Sequence, residues 1–152
     1  MRSCICNGLI EGNTNTTGKV TIDQCLFLTN SLGPSSIRNV ICQNSIFMHA
    51  VSPANSLVAN SAFTTNLSRL NTVYPPAGTG NTASGNISNA NPNFTTYTVN
   101  TNYSTSYNFT LLAGSPAIGT GLSGSDIGVH GSTTNFSEKG EVLITPIIRS
   151  LT

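Results

Sequence analysis

The sequence carries very little charge. Only 7% of its 152 residues are Asp, Glu, Lys or Arg, whereas about 25% is usual in globular proteins. The formal net charge is +1, and tryptophan is missing altogether. The basic residues are scattered rather than clustered: Arg2, Lys19, Arg38, Arg69, Lys139 and Arg149. Because nucleic acids are bound by patches of Lys and Arg, nucleic acid is not an expected partner.

Long apolar runs are missing as well. No run approaches the roughly 18 residues that a membrane-spanning helix needs, so membrane insertion is not expected. Residues 1–8 lack the apolar core of a signal peptide. Residues 5–10 look like the interior of a repeat, with no polar cap before them. We therefore expect this chain to begin inside a longer protein, with Met1 not necessarily a native start. Either an export signal lies upstream of this chain, or the protein is not exported.

Neutral polar side chains dominate instead. Asn, Ser and Thr number 19, 19 and 21, together 59 of 152 residues. Asn and Ser favour turns and Thr favours strands, so this mixture predicts short strands with frequent corners and an all-β fold. Disordered chains usually carry a high net charge, and this chain does not, so its polar composition does not indicate disorder.

Four short stretches resemble one another, and each is centred on an amide side chain. The amides are Asn7, Gln24, Asn44 and Asn60, at uneven intervals. Asn and Gln can hydrogen-bond through their side chains and Asn tolerates the left-handed backbone region, so we expect stacked amides at a repeated corner. A large apolar residue follows three positions later in each stretch. The pattern predicts that the rings at these positions stack in one column: Phe27, Phe47 and Phe63.

Residues 91–131 carry the most distinctive motifs. Asn-Pro-Asn-Phe spans 91–94, Leu-Leu-Ala-Gly-Ser-Pro-Ala-Ile-Gly-Thr-Gly spans 111–121, and Asp-Ile-Gly spans 126–128. Gly and Pro at 114 and 116 end a strand, because Gly favours turns and Pro removes a backbone donor. The recurring glycines that follow predict a tight, loop-rich strap that closes one end of the fold.

These motifs, in this order, resemble the closing segment of bacterial exported right-handed parallel β-helix proteins of the choice-of-anchor Q group. The resemblance covers roughly the last third of the chain. It implies a right-handed parallel β-helix, a solenoid, located extracellularly or at the cell surface. We expect one domain in which residues 1–90 form β-helix coils, truncated at the N-terminal end, and residues 91–152 form the closing strap and a terminal strand over 142–148.

Chemically reactive groups are sparse. The chain has five carboxylates, and neither a paired carboxylate nor a metal-ligand cluster stands out in the sequence. Asp126 is interpreted as an acceptor of backbone N–H bonds at a tight turn, and a catalytic or ligand role is the alternative. His49 and His130 are expected at the surface or in turns. No catalytic residue, metal or cofactor is predicted.

The four cysteines leave alternatives open. Cys4, Cys6, Cys25 and Cys42 do not follow a standard zinc spacing. Buried free thiols are the first interpretation, a disulfide is the main alternative in an exported protein, and a metal site is the third. Cys25 and Cys42 occupy different repeat columns.

Three classes of function fit these features. The first is a non-catalytic structural, adhesive or binding module that presents a neutral surface to glycans or to another surface protein, with Tyr97, Tyr103 and Tyr107 as stacking groups. The second is the C-terminal part of a polysaccharide lyase or glycoside hydrolase whose catalytic coils lie upstream. The third is an ice-binding or purely structural solenoid. An uncapped first coil also predicts self-association through residues 3–10.

Overall fold

The computed structural model describes residues 2–6, 18–28, 37–48, 58–70, 74–75, 77–99 and 103–131. These ranges contain short β-strands and two 3₁₀ turns, and no α-helix occurs within them. The all-β prediction is therefore confirmed for the described part of the chain. The strands are β1 (Ile5–Cys6), β2 (Val20–Asp23), β3 (Leu26–Phe27), β4 (Ile37–Arg38), β5 (Val40–Gln43), β6 (Ile46–Phe47), β7 (Val58–Ala59), β8 (Ala62–Thr64), β9 (Leu67–Ser68), β10 (Thr82–Ser84), β11 (Phe94–Thr96) and β12 (Asn108–Leu111). The 3₁₀ turns are Leu122–Gly124 and Val129–Gly131.

Most strands belong to two parallel four-stranded sheets. Their strand orders are β1-β3-β6-β9 and β10-β8-β5-β2. Strands β4 and β7 form a further parallel pair, and β11 and β12 form an antiparallel hairpin. Hydrogen bonds between successive repeats join residues that are 20 or 21 positions apart. The structural repeat is thus more even than the spacing of the amides in the sequence.

The corners after the strands adopt the left-handed backbone conformation that was predicted for the amides. Gln24, Asn44 and Asn60 have φ values of 52°, 48° and 51°. Gln24 and Asn44 occupy one corner, because the N–H of Gln24 bonds Gln43 and that of Asn44 bonds Thr64. Asn60 follows β7 and is aligned instead with Asn39. The expectation of one shared corner is therefore wrong for Asn60, and Asn7 lies outside the described residues.

The aromatic column is correct for two of its three predicted members. Phe27 and Phe47 are paired in register, and their rings stack with centroids 4.8 Å apart and planes 6° apart. Phe63 is paired with Cys42 in the other sheet, so its assignment to the column is wrong. The cause is the misplaced corner at Asn60, which is followed by β8 rather than by β9. All three rings nevertheless enter the same buried core.

A buried column of polar side chains follows the corners occupied by Gln24 and Asn44. The side chain at this position in each repeat accepts the backbone N–H of the equivalent residue in the preceding repeat. The N–H of Cys25 bonds Ser45 Oγ at 3.1 Å, that of Ser45 bonds Asn66 Oδ1 at 3.0 Å, and that of Asn66 bonds Asn86 Oδ1 at 2.9 Å. A buried N–H without a partner is unfavourable, so these side chains satisfy backbone donors where the chain turns between strands.

The sheet β1-β3-β6-β9 is covered on both faces. Alternate residues of a strand point to opposite sides, so Phe27 and Phe47 enter one core while Leu26, Ile46 and Leu67 form a second. The second core is completed by the segment after β12, which we call the strap (residues 112–131), together with the hairpin. The buried residues that these two elements contribute are Phe109, Ala117, Ile127 and Val129.

The strap therefore lies along a face of the sheet β1-β3-β6-β9, whereas the sequence predicted that it would close one end of the fold. Asn44 anchors it: Asn44 Oδ1 accepts the N–H of Leu122 at 2.8 Å, and the Asn44 carbonyl accepts that of Gly128 at 2.7 Å. Gly128 has a φ of +98°, and a Cβ there would approach Ile46 Cδ1 to 2.6 Å. Glycine is needed for both reasons. The predicted terminal strand at 142–148 lies outside the described residues.

Candidate functional site

The three tyrosines proposed as stacking groups come together around Phe109. Tyr97 and Tyr107 lie 5.2 Å apart at 76°, and the ring centroids of Tyr103 and Phe109 are 6.5 Å apart. Tyr97 also lies 5.7 Å from Phe109. These distances are typical of packed aromatic clusters. The tyrosines thus hold the hairpin against the sheet, and Tyr103 is the most exposed of them, at 36%.

Beside this cluster, a groove opens at the end of the hairpin. Its volume is about 280 Å³. It is lined by residues before, within and after β11 and by residues that follow β12. The N–H of Leu112 bonds the carbonyl of Asn93 at 2.8 Å and so joins these two segments. Of the three tyrosines, Tyr97 lines the groove. The other described residues that line it are Asn91, Asn93, Phe94, Val99, Leu112 and Ala113.

Two asparagine side chains border this groove. Asn91 Oδ1 accepts the backbone N–H of Asn93 at 3.1 Å and so closes a tight turn. Asn93 has a left-handed φ of 53°, and its side-chain amide makes no hydrogen bond to another described residue. The Nδ2 group of Asn91 is likewise unbonded within the described ranges. Both amides are available to a ligand.

The two described aspartates have structural partners. Asp23 is buried, forms an ion pair with Arg2 at 3.0 Å and accepts Asn44 Nδ2 at 3.1 Å. Asp126 Oδ1 accepts the backbone N–H of Gly119 at 2.9 Å. This bond is the backbone contact that the sequence interpretation assigned to Asp126.

All four cysteines are free thiols. Cys25 and Cys42 are buried, and Cys4 and Cys6 are partly exposed and pack against the same core. Burial raises the pKa of Cys6 to about 11 and that of Cys25 to about 12, and it raises the pKa of Cys42 further. A raised pKa disfavours the thiolate, which is the reactive form.

Other candidate groups are not assembled into a centre in the described part of the chain. His130 is exposed, and His49 lies outside the described residues. No group of three or more His, Cys, Asp or Glu side chains is placed to hold a metal ion among the residues described. Within the same residues, no helix is long and apolar enough to cross a membrane.

Sequence reasoning missed the groove. Asn91 and Asn93 had been noticed only as part of the Asn-Pro-Asn-Phe motif and Leu112 only within the motif at 111–121, and Val99 had not been singled out. The signal that could have found Asn93 is its place between a proline and an aromatic residue at the start of a strand. That signal does not reveal which asparagines keep their side chains free.

Comparison of the chain with protein-family models, with curated proteins and with solved structures found no match.

Proposed function

We propose that this chain is a right-handed parallel β-helix module that serves a non-catalytic role outside the cytoplasm, at the cell surface or in the extracellular space. The single observation that carries the proposal is the parallel pairing of strands 20 or 21 residues apart, repeated in both four-stranded sheets. A chain that returns to the same sheet after each such interval winds as a solenoid. The right hand follows from the strong preference of crossover connections between parallel strands.

The resemblance to the choice-of-anchor Q group supports the proposed location. The motifs of this chain that carry the resemblance are also the ones that make the contacts of the strap. Ser115 Oγ donates to the Pro92 carbonyl at 2.6 Å and accepts the N–H of Ala117 at 3.2 Å, and Asp126 bonds Gly119. The residues that carry the resemblance therefore have structural roles in this chain.

The proposed role is the presentation of a neutral surface to a glycan or to another surface protein. The outer face of the sheet β10-β8-β5-β2 consists mainly of hydroxyl, amide and small side chains. One column contains Thr21, Ile41, Ala62 and Thr82, and the next contains Gln43, Thr64 and Ser84, in line with the buried Asp23 that pairs with Arg2. The non-catalytic part of the proposal is supported by the engagement of Asp23 and Asp126 in structural contacts, since general acid-base chemistry requires available carboxylates.

Binding and turnover can be tested on the same purified chain. We expect retention on an array of neutral polysaccharides and surface glycans, and no release of reducing ends or unsaturated products from neutral or uronate polymers, with or without Ca²⁺. Turnover that disappears in Asp23→Ala or Asp126→Ala would contradict the non-catalytic role. Absence of retention on every glycan, combined with capture of a surface protein, would redirect the proposal from glycan to protein recognition.

A further inference from the structure

We propose that the groove at the end of the hairpin is a binding site for one neutral sugar ring of a glycan. This inference rests on the proposed function and names both the site and the chemical class of its ligand. The groove's volume of about 280 Å³ lies just below the range of roughly 300–1,000 Å³ that is usual for small-molecule sites. A ligand smaller than a drug-sized molecule, such as a single pyranose unit, matches that volume.

The polar groups of the groove suit a polyhydroxyl ligand. A side-chain amide offers two donors and an acceptor, which is what neighbouring sugar hydroxyls require. Asn93 contributes an amide that has no other bond to a described residue, and Asn91 contributes its Nδ2 donors while its Oδ1 maintains the turn. The backbone of Asn93 is held by this turn and by the bond from Leu112, so its side chain starts from a fixed position at the groove.

The apolar part of the groove suits the C–H face of a sugar. Phe94 and Tyr97 lie at 90° with centroids 6.0 Å apart, so each ring is held by its neighbour. Val99 and Leu112 are 37% and 48% exposed and extend this apolar surface. A rigid aromatic surface loses little conformational entropy when it contacts a ligand.

The described residues of the groove carry no charge, and this favours a neutral sugar over an acidic one. None of the described residues that line the groove is Asp, Glu, Lys or Arg. Phosphates and uronates are recognised by Arg or Lys, often through paired hydrogen bonds, and neither occurs among the described residues that line this groove. A neutral hexose or N-acetylhexosamine unit is therefore favoured over an acidic sugar.

The location can be tested by NMR titration of the whole chain, observing the backbone N–H signals together with the side-chain NH₂ signals of asparagine and glutamine. The probes are the methyl glycosides of glucose, galactose, mannose and N-acetylglucosamine, with methyl glucuronide and an oligoproline peptide for comparison. Since one sugar ring offers few contacting atoms, we expect a Kd on the order of 1 mM. At least one neutral glycoside should shift the signals of Asn91 and Asn93 and leave that of Asn89 unchanged.

Two variants and a matched control complete the test. Asn93→Gly keeps the left-handed turn and removes the amide, so the Kd should rise about fivefold or more, as expected for a lost hydrogen bond. Ala113→Phe fills the groove and should abolish the shifts. Asn89→Gly is the control, because Asn89 is exposed and has a similar φ of 57° but does not line the groove. Its Kd should equal that of the unaltered chain.

The possible failures separate the two proposals. Glycosides that shift Gln43 and Thr64 instead, or bind Asn93→Gly and Ala113→Phe normally, would overturn the groove site and leave glycan binding intact. Binding of the glucuronide or the oligoproline peptide alone would overturn the assignment of a neutral sugar. If neither the glycosides nor the glycan array gives binding, both the groove site and the glycan-binding role fail.

Discussion

Replacing Asn66 should reveal how strongly the buried polar column stabilises the fold. The Asn66 side chain is fully buried. Its Oδ1 accepts the N–H of Ser45 at 3.0 Å, and its Nδ2 donates to the Cys42 carbonyl at 2.9 Å and to Asn86 Oδ1 at 3.0 Å. One side chain thus joins three successive repeats. Asn66→Ala removes every one of these side-chain bonds, while the backbone N–H of Asn66 keeps its own acceptor on Asn86.

The magnitude follows from the groups that lose a partner. The buried N–H of Ser45 would be left unsatisfied, which costs about 1–3 kcal/mol. The Cys42 carbonyl would lose one of its bonds, which costs about 0.5–1.5 kcal/mol more. We therefore expect Asn66→Ala to lower the free energy of unfolding by about 2–4 kcal/mol, a large share of the roughly 5–15 kcal/mol typical of a domain. Asn66→Ser should lose less stability, because a serine hydroxyl already acts as this kind of acceptor at position 45, where Ser45 Oγ accepts the N–H of Cys25.

The assay is urea unfolding followed by circular dichroism, with thermal unfolding alongside it. The Tm of Asn66→Ala should fall by about 5–15 °C, given about 2–4 °C per kcal/mol at this chain length. Asn108→Ala is the control, because it removes a single exposed bond, from the N–H of Thr110. A free energy of unfolding for Asn66→Ala within about 0.5 kcal/mol of the unaltered chain would refute the role assigned to the polar column.

Three further predictions concern the cores and the strap. Phe47→Ala should lower the free energy of unfolding by about 3–5 kcal/mol, since the ring is fully buried; a loss under about 1 kcal/mol in urea unfolding would contradict its packing. Gly128→Ala should destabilise the chain more than Gly114→Ala, because both have positive φ but only Gly128 contacts another side chain; equal Tm values would argue against this. Stability should fall as pH rises above about 9, because folding raises the pKa of Cys6 to about 11 and of Cys25 to about 12 and so favours the protonated thiols. Cys25→Ala should flatten that dependence in urea titrations, and an unchanged pH profile would show that the thiol is not responsible.

The all-β character could be predicted from composition, but the register could not. An excess of Asn, Ser and Thr with little charge correctly indicated short strands and many corners. The alignment then treated every amide as the same corner, although each repeat has more than one left-handed corner: Asn39 and Asn60 occupy one, and Gln24 and Asn44 another. In the latter column the next repeat uses Thr65, which no amide pattern would select.

The position of the strap depended on information that lies far away in the sequence. Its glycines and its Asp126 contact were expected from local motifs. Its placement along the sheet depends on Leu26, Ile46 and Leu67, which present an apolar face opposite the phenylalanines. A strand with apolar residues on both faces indicates that both faces are covered, yet two-residue strands are too short to make that pattern legible before the register is known.

The candidate site was harder still, because asparagine has two different duties in this chain. The residue after a corner needs only a side-chain acceptor that reaches a backbone N–H of the previous repeat. Ser45 and Asn66 therefore fill this position equally well. For this reason the structure repeats evenly while the sequence does not. The side chains of Ser45 and Asn66 are buried and are already hydrogen-bonded within the fold. Asn93 has the same side chain as Asn66, but its turn is closed by Asn91 and its own amide stays unbonded among the described residues. Partners and burial, rather than residue type, therefore separate the asparagines that build the fold from those that we propose as ligand-binding groups.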